Sequence, residues 1–336
     1  MKNILKKILY IVVYLLIVIV LLYTYFQMRS TPNNIEYGVS FNTLYARELG
    51  LDPYKTYDAI LDDLNVKHLR LAAHWNMVEP EDDKYNFKEL DYQINKAEEV
   101  GADVILGVGR RLPRWPECHI PEWAWGYSWE DQKIEIEEYI EAVVLRYKDR
   151  EHIVQFQVEN EPFLSVFAEE HCGDLDVDFL DREIELVKEL APLKDILVTD
   201  SGNLGTWAKP YRRGDVFGTS VYVYLWNPDI GPFKSFLPPS FYRAKTSLME
   251  HLFGKKESIL VELSLEPWLL QPVAETSREL QLERMNMVKF NEIIEFAKET
   301  KFERQYLWGA EWWYFMKEDG YDDFWDRAKE VFNEES

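Results

Sequence analysis

Eight short apolar runs, all but the fifth followed by a stretch with helical spacing, leave this chain few folds to adopt. The runs fall at 37–41, 66–72, 103–108, 153–158, 196–199, 216–222, 258–261 and 305–308. Between and after them, residues 53–64, 87–100, 129–147, 176–190, 241–253, 277–300 and 321–332 place apolar side chains at helical intervals. Strand-then-helix alternation implies parallel pairing through right-handed crossovers. Eight such units in 336 residues are the expected size of a (β/α)₈ TIM barrel. A doubly wound open sheet is the competing α/β architecture, but no Gly-rich nucleotide loop accompanies any strand. The barrel is expected to fill residues 36–336.

The first thirty residues read differently. Residues 8–26 carry no charge and are rich in Ile, Val and Leu, long enough to span a bilayer as one helix. Lys2, Lys6 and Lys7 precede the run and only Arg29 follows closely, which puts the N-terminus in the cytoplasm. No small-residue cleavage site follows. The expectation is a single-pass, uncleaved signal anchor over 1–30 and a short linker over 31–35, with the barrel held outside the cell membrane.

The chain carries a net charge of −22 although its first thirty residues contain no Asp or Glu, so the acidity lies in the barrel. Such a surface disfavours nucleic acid and suits a neutral or cationic partner. Cys118 and Cys172 are the two cysteines; an extracytoplasmic location favours a disulfide between them. His119 and His171 adjoin them, but the spacings are not those of a zinc site. No metal and no cofactor are expected. A G-x-S-x-G elbow, the mark of an esterase, is missing.

In a barrel, side chains at the C-terminal strand ends converge on one face. There the sequence places Arg70 and His74 after strand two, Arg110 and Arg111 after strand three, and Asn160 and Glu161 at strand four. Tyr222, Glu262 and Trp308 end strands six, seven and eight. Pro162 cannot extend a ladder and pushes its predecessor towards an extended backbone, so Glu161 is expected to be the last residue of its strand. Two carboxylates facing each other across the mouth are what hydrolysis of a glycosidic bond requires: one protonates the leaving oxygen, the other attacks or activates water.

With Asn160-Glu161-Pro162 ending strand four, Glu262 about 100 residues on at strand seven, and Arg70, Tyr222 and Trp308 around them, the chain resembles a clan A glycoside hydrolase of the family 5 cellulase-like group. The resemblance implies that Glu161 is the acid/base and Glu262 the nucleophile of a retaining mechanism. It implies further that Asn160 binds the sugar 2-hydroxyl, that Arg70 and Tyr222 contact Glu262, and that Trp308 lies under the sugar. His74 is a candidate for the sugar site as well.

Alternatives stay open on the sequence. Glu266, also followed by Pro, rivals Glu262; Glu159 rivals Glu161. Val261 stands where the family usually has a small polar residue. The expected protein is a monomeric, membrane-anchored retaining hydrolase of a β-linked, largely neutral glycan. A carbohydrate-binding pseudoenzyme and a transglycosylase share every residue named.

Overall fold

The computed structural model describes residues 34–165, 169–173, 175–227 and 229–334. The expected membrane anchor lies outside them, and among the described residues no helix is long and apolar enough to cross a membrane.

The eight strands are β1 (Glu36–Ser40), β2 (His68–Ala72), β3 (Asp103–Val108), β4 (Ile153–Val158), β5 (Asp195–Asp200), β6 (Val216–Val221), β7 (Ser258–Ser264) and β8 (Arg304–Trp308). They close in the order β1-β8-β7-β6-β5-β4-β3-β2, every pair parallel. In that ring β4 stands opposite β8, and β3 opposite β7.

The strands are buried on both faces, which is why they read as continuous apolar runs. Val104, Leu106 and Val108 join the large core between sheet and helices, which includes the fully buried Trp75, Trp207, Trp312, Trp313 and Trp325. Their strand neighbour Ile105 belongs to a separate cluster with Leu197, Val216, Ile259, Val261 and Tyr306, the packing of the barrel interior. Gly38 is required there: a Cβ on it would lie 2.7 Å from the Tyr306 ring.

Helices start where capping side chains allow. Asp52, Ser128 and Asp176 accept backbone N–H groups at the starts of Pro53–Asp62, Trp129–Tyr147 and Val177–Leu190. The helix expected over 277–300 is two, Arg278–Arg284 and Met287–Thr300, because Asn286 leaves the helical backbone and caps the second. Among the features that escaped the periodicity are a helix Thr43–Glu48 after β1, a hairpin of Tyr224–Asn227 with Gly231–Lys234 after β6, and a helix Ala310–Glu318 after β8.

Candidate active site

β4 ends at Val158, and Glu161 is neither a strand residue nor extended, contrary to the expectation from Pro162. Glu159 and Glu161 have φ of 57° and 44°, left-handed values that each cost roughly 1–3 kcal/mol for a non-glycine residue. Hydrogen bonds impose that shape. The Glu159 carboxylate accepts the N–H groups of Arg110 and Arg111, both at 2.7 Å. Asn160 N–H donates to the Arg111 carbonyl at 2.6 Å, and Glu161 N–H to Thr199 Oγ1 at 2.8 Å. The bend also lets adjacent Asn160 and Glu161 serve one mouth, which strict strand alternation forbids.

A second irregularity aims the other carboxylate. β7 runs to Ser264, beyond the expected end, and carries an extra residue against both neighbours. Leu260 pairs with Thr219 and Glu262 with Ser220, so Val261 is left without a partner on β6. On the other edge Leu260 pairs with Gln305 and Leu263 with Leu307. Such a bulge re-aims side chains. Val261, apolar where a small polar residue was expected, packs in the barrel interior, and its carbonyl accepts Ser40 Oγ at 2.8 Å.

Arg70 joins the two strand ends. From β2 its guanidinium donates to Glu262 Oε1 at 2.9 Å, to Asn160 Oδ1 at 2.7 Å and to Gln157 Oε1 at 2.7 Å. Tyr222 OH donates to Glu262 Oε2 at 2.9 Å, so each oxygen of Glu262 has a donor. Asn160 Oδ1 is taken by Arg70, which leaves its amide N–H groups as the donors for a ligand.

Glu161 is in a different setting. Ser220 Oγ donates to its Oε1 at 2.7 Å, and the residue is buried. Burial pushes its pKa well above the ordinary carboxylate range, and the facing Glu262 charge pushes it further; Ser220 and Arg111 oppose, and Glu117 adds to the rise. One carboxylate held by a cation and a phenol beside another inclined to keep its proton is an acid–base pair.

Trp308 closes one side. Its indole N–H donates to Glu266 Oε1 at 2.8 Å, and the Arg114 guanidinium lies 4.1 Å from its ring centroid. Glu266 is therefore engaged twice, since Arg114 also donates to its Oε2 at 3.0 Å. Glu159, the other rival, is spent on the backbone of the β3 loop and shares a hydrogen bond with buried Glu183. His74 lies in the wall: its Nε2 is 3.2 Å from Asn42 Nδ2 and 3.3 Å from the Pro113 carbonyl, and its ring meets His119 edge-on. Burial holds its pKa well below the usual value.

The structure thus brings together Arg70, Asn160, Glu161, Tyr222 and Glu262, with Trp308 adjoining. It adds Gln157, Thr199, Ser220 and Glu117, which the sequence did not single out, and it places Arg114, a sequence candidate for the wall of the cleft, beside Trp308. Gln157 had a signal: with Gln155 it is one of two polar residues in an otherwise apolar strand. Cys118 and Cys172 are bonded, with Cα atoms 5.4 Å apart, tying the β3 loop to the segment after β4. A cavity of ≈ 610 Å³ lies outside this mouth over Arg110, Trp129 and Asp176, and none of the converging carboxylates lines it.

The chain is also similar to known proteins in sequence and in fold. Residues 31–189 match the cellulase family, glycosyl hydrolase family 5. Two β-galactosidases of Lactobacillus acidophilus, LacZ and LacA, are each 24% identical over 46% and 61% of this chain. Those matches cover 26% and 32% of the relatives, so the chain spans less than a third of their length. Among solved structures, GH5_18 from Bifidobacterium longum has a TM-score of 0.58 at 14% identity, covering 82% of this chain and 69% of its own. Xylanase 10B from Thermotoga maritima has a TM-score of 0.54 at 18% identity, covering 82% and 83%. Both share the fold.

Proposed function

We propose that this chain, a member of clan A of the glycoside hydrolases, is a retaining β-glycosidase in which Glu262 is the nucleophile and Glu161 the acid/base. The observation that carries the assignment is the contrast between the two carboxylates. Glu262 receives hydrogen bonds from Arg70 and Tyr222. Glu161 is biased towards its protonated form by burial and by Glu262 itself.

The chemistry follows from that contrast. Glu262 attacks the anomeric carbon while Glu161 gives its proton to the leaving oxygen, and a glycosyl ester on Glu262 results. The ester removes the charge that raised the Glu161 pKa, so Glu161 becomes the base that deprotonates the incoming water. Asn160, its carbonyl fixed by Arg70, offers N–H groups to the sugar 2-hydroxyl. Tyr222 and Arg70 orient the nucleophile, and Trp308 forms the apolar floor of the sugar site.

The acidic surface supports a neutral glycan as substrate, and the β-galactosidase relatives make a β-galactoside the first sugar to try. Residues 8–26 support an anchored enzyme acting outside the cell membrane, with the barrel reaching its glycan as a monomer.

The deciding experiment incubates the protein with 2,4-dinitrophenyl 2-deoxy-2-fluoro-β-glycosides of galactose, glucose and mannose, followed by peptide mass spectrometry. An adduct on Glu262 is expected. An adduct on Glu266 would move the nucleophile. Glycan binding without any adduct or turnover would replace the enzyme with a binding protein. Sugar products longer than the substrate, rather than free sugar, would make it a transglycosylase.

A further inference from the structure

We infer that the loop after β3 closes the sugar end of the site, so that the enzyme removes one terminal residue at a time from the non-reducing end of its glycan. The inference rests on the glycosidase assignment above and concerns only the shape of that same site.

The direction of the substrate follows from the chemistry. Glu161 must reach the leaving oxygen, so the leaving group lies on the β4 side. The ring being transferred then extends the other way, towards Trp308 of β8, which stands opposite β4 in the barrel. A chain-cleaving enzyme needs open space beyond that ring, over the ends of β8, β1 and β2.

That space is filled by residues 109–118. The loop leaves β3 and reaches across the mouth to residues beyond β1, β2, β7 and β8. The Pro113 carbonyl accepts Asn42 Nδ2 at 3.1 Å and lies 3.3 Å from His74 Nε2. The Arg114 guanidinium sits between two rings, 3.6 Å from the Tyr45 centroid and 4.1 Å from that of Trp308. It pairs with Glu266 and lies 3.7 Å from Glu311. Glu311 is buried and its other oxygen accepts the Asn42 N–H, so both acidic partners are fixed. Arg114 and Glu266 are 11% and 10% exposed, values of a packed wall and not of a flexible surface pair.

The base of the loop is pinned as well. Arg111 donates to Glu117 Oε2 at 2.7 Å and to the Leu164 carbonyl at 2.7 Å, and Cys118 is bonded to Cys172. The cavity lined by Asn42, Arg70, Pro113 and Trp308 is ≈ 10 Å³. That is room for about one water. A second sugar beyond the one over Trp308 has nowhere to sit.

The test uses the whole protein with 4-nitrophenyl β-glycosides of galactose, glucose and mannose, and with β-1,4-linked trisaccharides of the same three sugars. Each trisaccharide is offered free and with a 4,6-O-benzylidene cap on its non-reducing residue. The inference expects monosaccharide as the sole early product from the non-reducing end, and capped chains cut roughly 100-fold more slowly or not at all. Arg114→Ala should raise the ratio of capped to free cleavage by opening the wall. Should that variant fail to fold, the products of the unmodified enzyme already decide. Early release of disaccharide from the non-reducing end, or capped chains cut within about tenfold of free ones, overturns the closed site and leaves the glycosidase standing. Aryl glycosides and chains all left intact, with no fluorosugar adduct, would remove the glycosidase assignment and this inference with it.

Discussion

Arg70 and Glu262 form an ion pair at 2.9 Å with side chains only 2% and 5% exposed, and the same guanidinium fixes Asn160 and Gln157. One cation therefore sets the positions of the proposed nucleophile from β7 and of the proposed sugar ligand from the tip of β4. It ties the bulged strand to the bend at Glu159–Glu161 through the side chains of Glu262 and Asn160.

Removing that cation should be severe. Arg70→Met leaves a buried carboxylate without its counter-charge, a change that costs roughly 3–5 kcal/mol of stability. Arg70→Lys keeps the charge but cannot span Glu262, Asn160 and Gln157 at once. Urea unfolding should place Lys between the wild type and Met, while glycoside hydrolysis falls at least about 100-fold in both. A Met variant as stable as the wild type would mean the pair is not the link between the two strands.

Glu161 makes two opposed predictions for one substitution. As the proposed proton donor it matters most for poor leaving groups, so Glu161→Gln should lose about 10²–10⁴-fold on an unactivated disaccharide. On a 2,4-dinitrophenyl glycoside, whose leaving group needs no proton, formation of the covalent intermediate should change far less. The stability effect has the other sign. The folded state raises the Glu161 pKa by burial and by the Glu262 charge. In the window between its unfolded and folded pKa the native protein binds the extra proton, so stability falls as pH rises through that window. Glu161→Gln removes this cost, and its Tm should exceed that of the wild type near neutral pH by an amount corresponding to about 0.5–2 kcal/mol. The gain should vanish below roughly pH 4, where the carboxyl is protonated in both states. A variant no more stable than the wild type at pH 7 would contradict the raised pKa.

The barrel was legible because its signal is repetition: eight apolar runs at regular spacing, each buried on both faces. The carboxylates were legible because they end two of those runs. The shape of the backbone that carries them was not. Pro162 favours an extended Glu161 when only its neighbours are considered, and the preference is overruled by Thr199 and by Arg111, residues from two other strand ends. Glu266 stayed a rival for the same reason. Its partner Arg114 lies 152 residues earlier, and no local pattern links them. Long loops such as 109–118 carry little periodicity, so what they close is written only in three dimensions.

Glu159 offers the sharpest separation between a carboxylate proposed to do chemistry and one that shapes the site. Its two oxygens accept the N–H groups of Arg110 and Arg111. It packs so closely on Gly109 that a Cβ there would meet its Oε1 at 2.5 Å, and Gly109 itself has φ of 114°. A glutamine retains one acceptor and turns an N–H₂ towards the second donor, leaving a buried amide unpaired. Glu159→Gln should therefore lose about 1–3 kcal/mol by denaturant unfolding. The β3 loop it anchors should open more readily to proteolysis, while the fluorosugar still labels Glu262. Gly109→Ala should produce the same loosening from the opposite side of the contact. If Glu159→Gln instead kept full stability and lost labelling altogether, the carboxylate would belong to the reacting centre, and the division of labour between Glu159 and Glu161 would have to be reversed.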